Sequence, residues 1–241
     1  MLKKLISKLL PNNVIDKIKF DLGVPNQQNC FEHLKKMGVS PRLVIDIGAY
    51  EGTWAIDFKK YFPNTKILML EAQEGKSIYL NKVKEKSNQS IDFKIALLSD
   101  VIKEVEFNEY ETASSVYKED NETNAKVVRL KTQRLDDLLT NTEFEKPDFV
   151  KIDVQGAELD VLKGALNTLK SVEFVLIEVS FLNIYKGAPL AHEIVQFMAQ
   201  QGFVIYDIAS LMRRPFDKAL NQSDFLFIKE KSPLRASSRW D

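Results

Sequence analysis

The sequence predicts an α/β protein built on a Rossmann-like, doubly wound sheet of seven strands, mostly parallel with one antiparallel strand. Past Pro41, strand-like and helix-like segments alternate along the chain, which is typical of a parallel sheet covered by helices. The clearest unit is residues 42–53, where an aliphatic run ends at Asp46, a small-residue turn follows at Gly48, and a helical pattern begins at Thr53. Such a unit commonly holds a nucleotide-like ligand at the end of the strand.

Each predicted strand is a short apolar or β-branched run bounded by turn residues. The seven strands are predicted at residues 43–47, 67–70, 93–97, 149–152, 172–179, 203–208 and 225–229. The helices between them are predicted at about 53–61, 75–86, 157–169 and 190–201, the first ending before Pro63 and the last before Gly202.

One region breaks this alternation. Between residues 99 and 139, two alternating pieces surround a polar loop and predict an inserted antiparallel hairpin at 101–107 and 126–132, followed by a short helix at 135–139. The chain is therefore expected to contain an N-terminal helical extension at 1–40, one domain at 41–230 with the insert at about 100–135, and a polar tail at 231–241 with no packing pattern.

The overall charge argues against a nucleic-acid partner. The 241 residues include 34 basic and 34 acidic side chains, so the formal net charge is zero. A dedicated nucleic-acid binder usually carries a basic excess, because phosphate neutralisation supplies much of its affinity. The single cysteine, Cys30, excludes an intramolecular disulfide and a cysteine-based metal cluster, and we expect a cytoplasmic location.

No transmembrane segment is predicted, because no apolar run approaches the roughly 18 residues that span a bilayer. Residues 1–10 have a basic start, but Lys8 interrupts their apolar residues, so they make a poor signal peptide. We expect an amphipathic helix docked on the body of the protein, with peripheral membrane contact or a partner protein as the alternatives.

The turn after the first predicted strand departs from the dinucleotide-binding fingerprint, which requires glycines spaced G-x-G-x-x-G. Gly48 is followed by Ala49 and Tyr50, and the bulk of Tyr50 leaves little room for the close approach of a pyrophosphate. A ligand without phosphates, such as S-adenosylmethionine, fits this turn better.

Two carboxylates are expected to bind such a ligand. Glu71 ends the second predicted strand and offers two acceptor oxygens to two vicinal ribose hydroxyls. Asp46 is expected to accept from the ligand's ammonium group, directly or through water. The alternatives are a loop-capping role for Asp46 and a solvated strand end for Glu71.

A second group of acids follows the fourth and fifth predicted strands. Asp153 ends the fourth strand and Glu178 lies near the end of the fifth, so both are expected at the sheet edge where ligands gather in open α/β folds. Glu158 begins the next helical pattern, where it either caps the helix and complements its dipole or reaches the site.

Two strings of the sequence resemble the FkbM family of S-adenosylmethionine-dependent methyltransferases. They are VIDIGAYEG at 44–52 and VKIDVQGAE at 150–158, the second followed by VLKG at 161–164. Further similarities are ALLSD at 96–100, RLDDL at 134–138 and GF at 202–203, so the resemblance covers roughly residues 40–230. One departure is Gln155, at a position where an acid is common in the family.

The resemblance implies a class I methyltransferase that transfers a methyl group to a hydroxyl of a sugar, glycan or natural product. It implies that the adenine lies beside Ala96 and Leu97, and that Asp153 lies near the acceptor. The residues expected to bind the cofactor are Asp46, Gly48, Ala49, Tyr50, Glu51, Glu71, Ala72, Ala96, Leu97 and Asp153.

A hydroxyl acceptor is a weak nucleophile, so a general base is expected within hydrogen-bond reach. Asp153 is the first candidate, and a divalent metal shared by Asp153 and Glu178 is the variant interpretation. His192, near the start of a predicted helix, is either a base or acceptor contact or a capping or surface residue. The candidate catalytic residues are thus Asp153, His192 and Glu178, with no dedicated metal site.

The partner is expected to be a small-molecule or glycan acceptor, recognised by the insert and by a loop at 181–190. Four aromatic residues are candidates for a platform under a sugar ring, with sealing of a core edge as the alternative: Tyr110, Tyr117, Phe181 and Tyr185. Ser114 and Ser115 are candidate polar contacts. Two other functions stay open at this point, an NAD-dependent Rossmann oxidoreductase and a non-catalytic binding module on the same fold.

Overall fold

The computed structural model of the protein describes residues 22–109, 114–117, 126–183 and 185–240, together with Pro11 and Val14. The predictions for a helix at 1–10 and for Tyr110 lie outside these residues. Within the described ranges, no helix is long and apolar enough to cross a membrane.

Eleven strands and seven α-helices occur in the described part of the chain. The strands are β1 (Leu43–Ile47), β2 (Lys66–Glu71), β3 (Ile91–Ile95), β4 (Leu97–Leu98), β5 (Glu104–Glu109), β6 (Lys126–Gln133), β7 (Phe149–Ile152), β8 (Phe174–Ser180), β9 (Phe203–Ile208), β10 (Met212–Arg213) and β11 (Leu220–Lys229). The helices are α1 (Gln27–Lys36), α2 (Thr53–Tyr61), α3 (Ser77–Lys86), α4 (Leu135–Leu139), α5 (Glu158–Lys163), α6 (Leu166–Ser171) and α7 (Ala191–Gln200).

The main sheet confirms the predicted class and topology. Strands β3, β2, β1, β7 and β8 lie side by side and parallel, and β11 pairs antiparallel with β8. Strand β9 pairs antiparallel with the other edge of β11, and the two-residue strand β10 continues that edge. The seven predicted strands are therefore present, and β10 is an additional, eighth strand of this sheet.

Helices cover both faces of the sheet, because the side chains of a strand alternate between its faces. Ile45 and Ile47 of β1 pack into one core with α4, α5, α6 and α7. Val44 packs into a second core with α1, α2 and α3. By the same alternation Asp46 belongs to the face that α1 and α2 cover, where it is fully buried.

Several predicted bounds differ from the structure: β5 lies at 104–109 rather than 101–107, and β11 begins at 220 rather than 225. Two further differences have an evident cause. The third strand lies at 91–95 rather than 93–97, because Leu97 and Leu98 leave the main sheet and pair with β6. The helix predicted at 157–169 is divided into α5 and α6 at Gly164. A side chain at Gly164 would lie 2.2 Å from the carbonyl oxygen of Ser99, and the Gly164 carbonyl accepts from the backbone N–H of Asp136. The close passage of these segments breaks the helix.

The insert forms its own small sheet. Strands β5 and β6 pair antiparallel, as the sequence predicts, and β4 adds to β6 in parallel. The first residues of the predicted polar tail at 231–241 pack against the domain. Ser232 is buried, and Leu234 packs against the second core.

Candidate active site

The turn between β1 and α2 is shaped by glycine. Gly48 has a φ of +75°, and a Cβ atom at this position would lie 1.7 Å from the backbone oxygen of Asp153. The backbone N–H groups of Gly48 and Ala49 both donate to the carbonyl of Leu70, at 2.9 and 3.1 Å. The turn is thereby held against the ends of both neighbouring strands, β2 and β7, and no side chain fits at Gly48.

Glu71, at the end of β2, is buried and held by the backbone. Its two carboxylate oxygens accept separately from the N–H groups of Tyr50, at 2.8 Å, and Gln73, at 2.9 Å. Burial raises the pKa of Glu71, while the backbone N–H groups and the nearby Lys151 oppose that rise. A carboxylate oxygen has two lone pairs, so each oxygen keeps acceptor capacity for a ligand.

A cavity of about 280 Å³ opens between the ends of β1, β2 and β7. Glu71 and Asp153 are the acids on its wall, and most of the remaining wall is apolar. The residues that line the cavity are Ile47, Gly48, Tyr50, Leu70, Glu71, Ala72, Gln73, Ala96, Leu97, Leu98, Phe107, Ser114, Val116, Asp153, Val154, Gln155 and Ala157. A mostly apolar cleft with a few placed polar groups is typical of a small-molecule site.

Asp46 lies beneath this cavity rather than on its wall. Its side chain is fully buried, and its Oδ1 lies 3.3 Å from the Nζ of Lys151. Among the described residues, neither of its oxygens accepts a hydrogen bond, and burial raises its pKa against the opposing effect of Lys151. The expected direct contact between Asp46 and a ligand ammonium group therefore finds no support, and the structure favours a supporting role for this acid.

Lys151, which sequence reasoning missed, connects the two halves of the site. Its Nζ donates to the carbonyls of Gly48, at 2.9 Å, and Ile47, at 3.4 Å, and also lies 3.6 Å from Asp153 Oδ2. Burial alone would lower the pKa of Lys151, but the carboxylates of Asp46 and Asp153 outweigh it and raise this pKa. The available signal was a lysine inside an otherwise apolar strand, a position where a charge requires partners.

Asp153 lines the cavity with its side chain about one-third exposed. The amide Nε2 of Gln155 donates to Asp153 Oδ1 at 2.7 Å and to Glu178 Oε1 at 3.1 Å. Gln222 also donates to Glu178 Oε1. An N–H donor therefore lies between the two acids, at the place where a shared cation would have to bind. This arrangement favours the general-base interpretation over the shared metal.

Glu178 lies behind Gln155 and does not line the cavity. Burial, followed by the negative charges of Asp153 and Asp224, raises the pKa of Glu178 to about 9. A pKa raised in this way favours the protonated side chain at neutral pH, which does not suit a general base. Its predicted catalytic role is better replaced by a supporting one.

The remaining predicted residues divide between the wall and its surroundings. Tyr50, Ala72, Ala96 and Leu97 line the cavity, as does Ser114. Ala49 is buried outside the wall. The carboxylate of Glu51 accepts from Lys76 at 3.1 Å, and the Lys76 ammonium lies 3.7 Å from the centre of the Tyr50 ring. His192 is exposed in the first turn of α7 and is absent from the wall, which favours the surface interpretation.

The candidate acceptor contacts are mostly structural. Phe181 meets Phe225 edge to face and so seals the core, while Tyr117 donates from its hydroxyl to Asp160. The buried Tyr185 donates to Gln155 Oε1.

Glu158 does not line the cavity. Its Oε1 accepts from the N–H groups of Val154 and Gly156, so it holds the turn that precedes α5 instead of capping the helix, and burial raises its pKa to about 7.

The protonation of Glu178 leads to a prediction on stability. Between the ordinary carboxyl pKa of 4.5 and about 9, the folded chain holds a proton that the unfolded chain releases. Stability should therefore fall as pH rises through this window. We expect Glu178→Gln, which stays neutral, to remove part of this loss. Urea unfolding at several pH values measures it, with the exposed Glu74→Gln as control; equal slopes for Glu178→Gln and the wild type would contradict the prediction.

The fold and the cavity define a Rossmann-like α/β protein with a small-molecule site at the carboxyl edge of its parallel strands, and comparison with known proteins agrees with both. The sequence matches the Methyltransferase FkbM domain over residues 46–205, more than half of the chain. The chain therefore belongs to the FkbM methyltransferase domain family, as the sequence resemblance indicated.

Two relatives of this chain carry names that describe their activity. One is the hexuronic acid methyltransferase AglP of Haloferax volcanii, 39% identical over 83 residues that cover 32% of this chain and 35% of AglP. The other is the 2-O-methyltransferase NoeI of Sinorhizobium fredii, 38% identical over 60 residues that cover 25% of each chain. The matches thus span about a third and a quarter of the length of these relatives.

Solved structures support the fold alone. The fibrillarin pre-rRNA processing protein of Methanococcus jannaschii is 14% identical, with a TM-score of 0.51 over 79% of this chain and 67% of its own. Sp1610 of Streptococcus pneumoniae, in complex with S-adenosyl-L-methionine, is 13% identical, with a TM-score of 0.50 over 86% of this chain and 74% of its own.

Proposed function

We propose that the chain is an S-adenosylmethionine-dependent O-methyltransferase whose acceptor is a hydroxyl of a sugar or glycan. The observation that carries this proposal is the placement of two carboxylates on one cavity wall. Glu71 is buried and fixed by two backbone donors, whereas Asp153 is partly exposed. The first suits a ribose and the second suits the proton of a hydroxyl acceptor. The name of AglP, a hexuronic acid methyltransferase, supports a sugar as the acceptor, and the name of NoeI, a 2-O-methyltransferase, supports transfer to an oxygen.

The residues of the cavity fit the proposed cofactor. Glu71 has acceptor capacity for two vicinal hydroxyls, and the apolar side chains of Ala96, Leu97 and Leu98 suit an adenine ring. Gly48 lines the same wall through its backbone, because the carbonyl of Asp153 fills the space that a side chain would take. Tyr50 lies on the same wall, and its bulk leaves little room for the close approach of a pyrophosphate, which disfavours NAD.

When bound, S-adenosylmethionine supplies a methyl carbon that the acceptor oxygen attacks while the bond from that carbon to sulfur breaks and its electron pair stays on sulfur. The protein's part is to orient the acceptor, exclude water and receive the hydroxyl proton. We assign this role to Asp153, which lines the cavity and whose carboxylate is oriented by Gln155 at one oxygen and Lys151 near the other.

Ligand binding tests the cofactor assignment. We expect S-adenosylmethionine and S-adenosylhomocysteine to raise the melting temperature of the wild type and NAD to leave it unchanged, because a ligand that binds only the folded state stabilises it. Glu71→Ala should lose this shift, since it removes both acceptor oxygens. The matched control is Glu74→Ala, an exposed acid three residues further along the chain. A folded wild type that shifts with NAD alone would support the oxidoreductase alternative.

Mass spectrometry tests the acceptor class. The panel is glucose, N-acetylglucosamine, glucuronic acid and galacturonic acid, each as its p-nitrophenyl glycoside and incubated with the enzyme and S-adenosylmethionine. We expect at least one sugar to gain the mass of one methyl group. Cofactor binding without methylation of any panel member would contradict this sugar assignment.

The cytoplasmic location stays a prediction.

A further inference from the structure

Gln155 joins four separate segments of the chain through hydrogen bonds. Its Nε2 donates to Asp153, at 2.7 Å, and to Glu178, at 3.1 Å, while its Oε1 accepts from the hydroxyl of Tyr185 at 2.8 Å. Its backbone carbonyl accepts from the Oγ of Ser115 in the insert at 2.6 Å. The end of β7, the end of β8, the loop at 181–190 and the insert therefore all meet at this one residue.

The chemistry of the carboxamide makes this arrangement directional. A carboxamide has two N–H donors on nitrogen and an acceptor on oxygen, and here two acids face the nitrogen while a hydroxyl faces the oxygen. A glutamate at this position has no N–H donors and adds a third acid to the cluster. Only the amide satisfies all three neighbours at neutral pH.

The backbone at this position is equally constrained. Gln155 has a φ of +54° and Gly156 a φ of +101°. A Cβ atom on Gly156 would lie 2.9 Å from the Cβ of Ala188 and 3.2 Å from the ring of Tyr185. The turn after β7 is thus pressed directly against the 181–190 loop, and the Gln155 side chain has little freedom to move away from Asp153.

We propose that Gln155 is a positioning residue for methyl transfer, which orients the Asp153 carboxylate on the cavity wall and links it to the 181–190 loop through Tyr185. This inference rests on the proposed function. Glu178 acts behind Gln155 as the second acceptor for the amide, so that both N–H groups are used. Through the hydrogen bond from Tyr185, the orientation of Asp153 also depends on the position of the 181–190 loop.

The charged groups around Asp153 determine how a substitution of Gln155 affects the Asp153 carboxylate. The charged or titratable groups that face Asp153 come from five elements of the fold: Asp46 on β1, Lys151 on β7, Glu158 on α5, Glu178 on β8 and Asp224 on β11. Four of these five are acids, and Lys151 and the Gln155 amide are the donors that face Asp153. A carboxylate at 155 replaces one of these donors with a negative charge.

The test is the pH dependence of methyl transfer in Gln155→Glu, measured with the panel glycoside that accepts a methyl group. We expect the acidic limb of the kcat profile to move to higher pH by about one unit, with unchanged affinity for S-adenosylmethionine. Gln155→Leu, which adds no charge but removes both donors, should move the limb in the same direction by less. Tyr185→Phe should lower kcat several-fold without moving the limb, because it releases the loop but adds no charge.

The control is Gln222→Met, which removes a donor to Glu178 but does not touch Asp153; the limb should stay in place. A wild-type limb in both Gln155 variants overturns the inference and leaves the proposed function intact. A folded wild type that neither binds S-adenosylmethionine nor methylates the panel overturns the function, and the inference with it. A ligand-free readout checks the electrostatics: Gln155→Glu should lose stability more steeply than the wild type as pH rises.

Discussion

Asp153→Asn is expected to lower kcat by roughly 10²–10⁴-fold, the usual contribution of a positioned general base. Asparagine has nearly the same shape and its side-chain oxygen can still accept from Gln155, so the geometry of the cavity is preserved. The substitution removes the ability to take the hydroxyl proton, together with one of the two negative charges beside Lys151. Affinity for S-adenosylmethionine should change little, because Glu71, on another strand, carries the proposed ribose contact. Steady-state kinetics with the accepted glycoside and a thermal-shift titration measure the two quantities.

The matched control is Asp160→Asn. Asp160 is another partly buried acid nearby, and its carboxylate accepts from Tyr117 but does not line the cavity. We expect its kcat to stay near that of the wild type. If Asp153→Asn keeps wild-type kcat, Asp153 is not the base, and alignment of the acceptor alone must account for the rate.

Lys151→Met is expected to destabilise the protein by about 3–5 kcal/mol, because it leaves the carboxylate of Asp46 buried without its counter-ion. The loss should be larger than that for Lys66→Met, which breaks the exposed Lys66–Glu143 pair and should cost about 0–1 kcal/mol. Urea unfolding of the ligand-free proteins measures both changes in the free energy of unfolding.

A double variant separates the buried charge from the loss of packing. Adding Asp46→Leu to Lys151→Met removes the unpaired carboxylate, so most of the lost stability should return, as it does where apolar residues replace a buried ion pair. The affinity for S-adenosylmethionine should nevertheless be lower than that of the wild type in both variants, because neither has the Lys151 ammonium that donates to the carbonyls of Ile47 and Gly48. Equal stability of the single and double variants would show that the Asp46 charge is not the cause.

The sequence predicted the elements whose signals are local. Strand β1 and helix α2 match their predicted bounds because an aliphatic run, a glycine turn and a following proline act within a few residues of each other. The division of the helix after residue 157 was missed, because it depends on Ser99 meeting Gly164, two residues far apart in the chain. Contacts of that kind leave no periodicity to read.

The candidate site shows the same contrast. The acids Glu71 and Asp153 were predicted correctly as residues near the cavity, since strand ends in a parallel sheet share one edge. The buried position of Asp46 and the role of Lys151 were not foreseen, because both depend on the pairing of β1 with β7. His192 was a candidate because it lies near the start of a predicted helix, and the fold favours the surface alternative for it.

The contact between the Gly48 turn and the Asp153 carbonyl has a consequence for how acceptor specificity could change in relatives of this chain. The two halves of the proposed site are the turn at Gly48, on the cofactor side, and the end of β7 at Asp153, on the acceptor side. A backbone contact sets the spacing between them. Under the proposed function, substitutions in the insert or in the 181–190 loop that keep Ser115 and Tyr185 should therefore change acceptor choice while the backbone contact between the two halves is kept.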